Sequence, residues 1–214
     1  MDKETLDRAF DARFPAIIKE KLKKARVAVA GLGGLGSNIA VMLARSGVGH
    51  IRLIDYDIVD VTNLNRQVYN IPQIGKYKTE ALRDILMDIN PYLDYDFQNV
   101  KVTKENVREL FTGYPIVCEA FDRAEQKAML VHELLMLFSD TVVVSGNGMA
   151  GFGDSNEIIT RQKFGRLFVC GDDKTDIADG IGLMSPRVTI CAAHQANKVI
   201  QLILEKKEGA IHGR

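Results

Sequence analysis

Short apolar runs alternate with amphipathic stretches along this chain, and the alternation defines its elements. Residues from about Lys3 to Lys24 read as helix, with Leu6, Phe10, Ile17, Ile18 and Leu22 set among charges and Pro15 as a break or new start. Arg26 to Ala30 is an apolar run ending in glycines, the pattern of a buried strand. Ser37 to Ser46 reads as helix, offering Ile39, Leu43 and the small Ala40 and Ala44 to a sheet. His50 to Ile54 reads as a second strand, and Lys78 to Ile89 as an amphipathic helix closed by Asn90-Pro91.

The alternation continues towards the C-terminus. Asp94 to Val100 is a weakly alternating strand, Glu105 to Leu110 a short helix, Ile116 to Cys118 a buried strand and Glu125 to Phe138 a helix. Thr141 to Ser145 is a further strand, and the glycine density of 146–153 marks a loop or bend. Glu157 to Thr160 and Leu167 to Cys170 pattern as a late antiparallel hairpin. Gly171 to Pro186 is a long polar, Gly-rich loop of the kind that is functional or mobile. Arg187 to Glu205 is the final helix. Strands alternating with helices predict an α/β fold: a Rossmann-like, mostly parallel sheet flanked by helices, with a C-terminal antiparallel extension.

No repeat, low-complexity tract or Pro/Ser-rich linker interrupts the pattern, so residues 1–214 are expected to form a single domain. Within it, 1–25 is an N-terminal helical segment, 26–145 the nucleotide-binding core, and 146–214 the extension, mobile loop and last helix. Lys plus Arg and Asp plus Glu both number 28, and the zero balance argues against a dedicated nucleic-acid binder. No apolar stretch approaches the roughly 20 residues of a bilayer span, and the charged N-terminus is no signal peptide. Cys118, Cys170 and Cys191 are odd in number and form no CxxC pair. These features predict a reduced, cytoplasmic chain without a membrane partner. The histidines His50, His132, His194 and His212 share no metal-ligand spacing.

Gly31-Leu-Gly-Gly-Leu-Gly36 fits G-x-G-x-x-G between a strand and a helix, where the pattern cradles a phosphate at a helix N-terminus. Asp55, about 20 residues on and ending the second strand, is the acidic residue expected at ribose hydroxyls. Both NAD and ATP present ribose and phosphate. Asn63, Arg66, Gln67 and Lys78 supply the amides and cations that a triphosphate needs as charge builds on it during displacement. An ordinary NAD-binding protein would leave Asn63, Arg66, Lys78 and Asp122 without a task.

In order and spacing, Gly31-Leu-Gly-Gly-Leu-Gly-Ser37, Leu53-Ile-Asp-Tyr-Asp57, Asn63-Leu-Asn-Arg-Gln67, Gly75-Lys-Tyr-Lys78 and Glu119-Ala-Phe-Asp122 resemble the ThiF/MoeB/HesA family of ubiquitin-activating-enzyme-like adenylyltransferases. The resemblance spans Arg26 to about Ser145 and is greatest to the short ThiF branch of thiamine biosynthesis. It implies ATP- and Mg2+-dependent adenylation of the C-terminal glycine carboxylate of a small ubiquitin-fold sulfur carrier, ThiS-like, with release of pyrophosphate. By position, Gly31, Gly33, Gly34 and Gly36 would form the nucleotide loop and Asp55 would hold the ribose. Asn63, Arg66 and Lys78 would contact phosphates, Gln67 would line the site, and Asp122 would bind or orient Mg2+. Asp57 and Lys127 are further candidates beside the nucleotide.

The resemblance also implies a homodimer, in which Arg13, with Arg8 in reserve, reaches the partner's site. Some relatives carry CxxC pairs that bind zinc; this chain has none, so no zinc is expected. Where relatives use a reactive cysteine, Cys170 is the one candidate, and a structural strand-end role competes with that. A tRNA threonylcarbamoyl-adenosine dehydratase would use the same ATP machinery, but zero net charge and a short C-terminus count against it.

Overall fold

The computed structural model describes residues 1–205; His212 and the rest of 206–214 lie outside them. The elements are α1 (Lys3–Asp11), α2 (Ala16–Lys24), β1 (Arg26–Ala30), α3 (Gly34–Arg45), β2 (His50–Asp55), α4 (Lys78–Ile89) and β3 (Asp94–Asn99). There follow α5 (Val107–Phe111), β4 (Ile116–Glu119), α6 (Ala124–Leu137), β5 (Val142–Gly146), β6 (Ile159–Phe164), β7 (Leu167–Gly171) and α7 (Ser185–Glu205). The seven strands form one sheet in the order β3-β2-β1-β4-β5-β7-β6, parallel throughout except for antiparallel β6 at its edge. This is the Rossmann-like architecture with an antiparallel extension expected from the alternating pattern.

Alternation within the strands divides the core. Val27 and Val29 of β1 and Leu53 of β2 face a layer containing Ile39 and Leu43 of α3, Leu82 of α4, and Val188 and Cys191 of α7. Ala28, Ala30 and Ile54 face the other way, against Phe111 of α5 and Leu130 and Leu134 of α6. A parallel sheet buried on both faces needs near-continuous apolar strands, which β1, β4 and β5 supply. From β1 the chain steps outward through β2 to β3, then returns to lay β4 on the other side of β1. That reversal opens a crevice at the carboxyl ends of β1 and β4, where open α/β sheets bind ligands.

Several element boundaries differ from those read in the sequence, each for a local reason. Helix α3 begins at Gly34, not Ser37, because Gly33 occupies the capping position and the last glycines form the first helical turn. Pro15 divides the N-terminal segment into two helices and caps the second. Strand β6 runs to Phe164 rather than ending at Thr160: polar Arg161 and Gln162 belong to an edge strand, whose ladder is broken by a register shift before the turn at Gly165. The Gly171 to Pro186 loop contains a short 3-10 turn at Ile177–Asp179, and Leu183 bridges to Gly151. No helix among the described residues is long and apolar enough to cross a membrane.

Candidate active site

The crevice encloses about 460 Å³. Its floor is the glycine loop, whose four glycines do different work. Gly31 has φ +89°, and a Cβ there would fall 2.8 Å from the Ala120 carbonyl oxygen. A Cβ on Gly36 would fall 1.8 Å from the Gly31 oxygen, so this glycine lets α3 close onto the loop. Gly36 does not line the crevice, whereas Gly31, Gly33 and Gly34 do. Within the loop Gly36 therefore packs α3 against Gly31 rather than facing the crevice. A Cβ on Gly33 would meet only the Gln67 amide, at 3.9 Å, so that face of the loop stays open to a ligand.

Asp55 ends β2 beneath the loop. Its carboxylate accepts hydrogen bonds from the Leu32 N–H (2.6 Å) and the Asp57 N–H (2.8 Å), joining the strand end to the glycine turn. Burial raises the Asp55 carboxyl above its ordinary value, opposed by the Lys78 charge and these two hydrogen bonds. Tyr69 adds a second tie, donating its hydroxyl to the Leu32 carbonyl at 2.9 Å.

Cations and amides line the wall opposite. Lys78 opens α4, and its ammonium meets Asp57 Oδ2 at 2.8 Å and Asp55 Oδ2 at 4.0 Å. Asn63 closes a 3-10 turn, accepting the Asp60 N–H at 3.0 Å. Arg66 follows one helical turn later, with one guanidinium nitrogen on the Thr62 carbonyl and the Asn65 side chain. Gln67 is buried at the edge of the crevice, and its Oε1 has no hydrogen-bond partner. A buried, unpaired acceptor costs free energy unless a donor reaches it. A nucleotide hydroxyl or amino group entering this crevice would supply one.

The third wall comes from the turn after β4. Asp122 stands exposed on the rim, and Lys127 of α6 also faces the crevice. Among the described residues, no three His, Cys, Asp or Glu side chains gather into a metal site. A lone rim carboxylate suits Mg2+, which is commonly held by one or two carboxylates together with substrate phosphates.

Arg13 and Arg8 lie on the exposed N-terminal segment, away from the crevice, and Arg8 pairs with Glu4 at 3.6 Å. Cys170 is fully buried, its thiol bonded to the Thr160 hydroxyl at 3.3 Å and pushed up to about 11 by burial. A thiol so placed is a poor nucleophile, which favours the structural reading of this cysteine.

Two constellations were not foreseen from the sequence. Glu119, fully buried at the end of β4, binds Ser145 and Lys127. Asp172 and Arg187 form a sealed ion pair behind the loop that walls the site, and Asp172 also accepts the Lys174 and Thr175 N–H groups. Burial alone would raise the Asp172 carboxyl, but the Thr175 and Lys174 hydrogen bonds and the Arg187 guanidinium outweigh it and hold it at about 2. The sequence marked Glu119 only as the head of the Glu119-Ala-Phe-Asp122 motif, without a role or a partner; nothing local marked Asp172.

Fold and crevice together define a Rossmann-like protein whose glycine loop floors a crevice lined by cations and amides. The model of the ThiF family matches residues 7–214, and the chain belongs to that family. It is 31% identical over 202 residues to the adenylyltransferase and sulfurtransferase MOCS3 of Culex quinquefasciatus, covering 91% of this chain and 45% of that one. It is 36% identical over 105 residues to the probable adenylyltransferase/sulfurtransferase MoeZ of Mycobacterium tuberculosis (strain CDC 1551 / Oshkosh), covering 49% and 27%. The chain thus spans less than half the length of these curated relatives. Among solved structures, E. coli tRNA N6-threonylcarbamoyladenosine dehydratase, TcdA, in complex with ATP shares its fold, with a TM-score of 0.82. Identity there is 22%, covering 92% of this chain and 93% of that one.

Proposed function

We propose that this chain uses ATP to adenylate the C-terminal glycine carboxylate of a small ubiquitin-fold sulfur carrier, ThiS-like, releasing pyrophosphate, within thiamine thiazole biosynthesis. The observation that carries the reading is the convergence of Gly33, Asn63, Arg66, Lys78 and Asp122 on one crevice. The glycine loop receives the phosphates at the N-terminus of α3, where free N–H groups and the helix dipole favour negative charge. Asn63, Arg66 and Lys78 stabilise the charge that grows on the leaving pyrophosphate. Asp122 would hold Mg2+, which when bound would screen the triphosphate. The carrier carboxylate is already ionised at neutral pH, so its oxygen attacks the α-phosphorus without a general base while the bond to pyrophosphate breaks.

In this reading the enzyme is a homodimer, and Arg13 completes the partner's site. A second reading, an ATP-dependent enzyme acting on tRNA, is favoured by one observation: the TcdA chain is matched over nearly its whole length. The zero net charge weighs against it. Incubating the protein with ATP, Mg2+ and either a carrier ending in Gly-Gly or bulk tRNA separates the two. The expected result is a carrier gaining the mass of one adenylyl group (AMP less water) and an unmodified tRNA. ATP consumption that depends on tRNA and not on carrier would overturn the proposal.

A further inference from the structure

Glu119 is a charged residue with no exposure to water, at the end of an otherwise apolar strand. Both its carboxylate oxygens are engaged. Oε1 accepts the Phe121 N–H at 2.7 Å, and Oε2 accepts the Ser145 hydroxyl and the Lys127 ammonium, each at 2.5 Å. A carboxylate is expensive to bury, and an apolar pair of similar volume would stabilise a core as well or better. Its presence here points to a task beyond packing.

The three partners indicate that task. Phe121 immediately precedes Asp122, and the Phe121 N–H is held from below by Glu119. Lys127 projects into the crevice from the first turn of α6, three residues after its start. Ser145 anchors the carboxylate to β5, a central strand, so the assembly cannot drift with the turn. The same turn presses on the glycine loop, since the Ala120 carbonyl sits where a Gly31 side chain would be.

Resting on the adenylation reading above, we propose that Glu119 is a positioning residue for the reaction. It never meets the nucleotide. Instead it fixes the direction of the Lys127 ammonium and the height of the Asp122 turn, so that both groups meet the triphosphate without reorganising. Lys127 is thereby a phosphate-facing cation whose aim, rather than its net charge, is what Glu119 supplies. Misplacement of such groups by about 1 Å costs on the order of 10²-fold in rate.

Carrier-dependent ATP–pyrophosphate exchange on the purified protein tests this, with kcat and the ATP KM measured separately and melting temperatures recorded in parallel. Glu119→Gln keeps the shape of the side chain and removes its charge. Lys127→Met, at a partly exposed position, keeps the test alive if the buried variant does not fold. Both are expected to lower kcat about 10- to 100-fold, with the ATP KM changing less than about threefold. The double variant is expected to be no worse than the weaker single one, because the two residues act as a unit. Wild-type kcat in Lys127→Met, or in Glu119→Gln with only the melting temperature lowered, overturns the positioning role alone. Absence of exchange in the wild-type protein with every carrier removes the adenylation reading and the proposal with it.

Discussion

On the β2–α4 wall of the crevice, Lys78 meets Asp57 at 2.8 Å while the Asp57 side chain is 49% exposed. Behind the opposite wall, Arg187 meets Asp172 with side chains only 3% and 0% exposed. Asp57 stands in contact with water, so the Lys78 ammonium, itself buried, can give up that partner for a ligand at small cost. In the second pair, removing the guanidinium would leave the Asp172 carboxylate buried without a cation, whereas Arg187 keeps half-exposed Glu157 at 3.7 Å. The crevice therefore joins a wall built to rearrange around phosphates to a wall built to stay in place. The sealed pair anchors the loop through the Thr175 hydroxyl, which accepts the Ala150 N–H at 3.1 Å and bonds to Asp172 at 2.8 Å.

The largest effect on stability is expected at the buried Asp172–Arg187 pair. Arg187→Met leaves Asp172 buried without its cation, and an expected loss of about 3–5 kcal/mol follows. At roughly 2–4 °C per kcal/mol for a chain of this size, thermal unfolding should shift down by about 10 °C. A shift of only a degree or two would show the pair to be replaceable. Lys78→Met should act the other way round. We expect a loss of about 10²–10³-fold in pyrophosphate exchange, with a smaller stability cost than that of Arg187→Met; wild-type exchange would remove Lys78 from the phosphate ligands.

The two walls also titrate with opposite sign. Asp172 is held at about 2 against an ordinary 3.8, so the folded state binds its proton less readily than the unfolded chain. Its contribution, about 2 kcal/mol at 1.36 kcal/mol per unit, is complete above about pH 4 and lost as the pH falls towards 2. Asp55 is raised instead, and its ionisation costs stability as the pH rises through the interval between its ordinary and folded values. Denaturant unfolding between pH 6 and 2.5 should show the acid-limb loss in the wild type and a shallower limb in Asp172→Asn. An identical limb in the variant would contradict the assignment.

The smallest effect is expected at Cys170. Its burial and raised thiol make Cys170→Ser neutral for carrier adenylation, within about twofold in exchange, and leave the native thiol slow to react with a maleimide at pH 8. Fast labelling at that position would reopen a sulfur-transfer role.

What was legible in the sequence follows the range of each interaction. The glycine loop, Asp55 and the Asn63-to-Lys78 cluster are local motifs attached to strand ends, so their spacing alone brings them to one crevice. The start of α3 was misread because glycines have poor helix propensity, although Gly34 here sits in a helical turn that the loop imposes. Strand β6 was read short because Arg161, Gln162 and Lys163 carry no apolar alternation, and an edge strand needs little. The pairing of Glu119 with Lys127, both marked singly by the sequence, and the Asp172–Arg187 pair are not legible there. They pair residues 8 and 15 apart across a turn and a loop, and only the folded chain brings them together.

The most direct test of the adenylation mechanism is ATP–pyrophosphate exchange with a carrier ending in Gly-Gly, beside the same carrier lacking its final glycines and an Asp122→Ala enzyme. Exchange is expected with the intact carrier alone, and its loss in both controls. ATP binding without exchange by the intact carrier, or exchange that persists in Asp122→Ala, would contradict that mechanism.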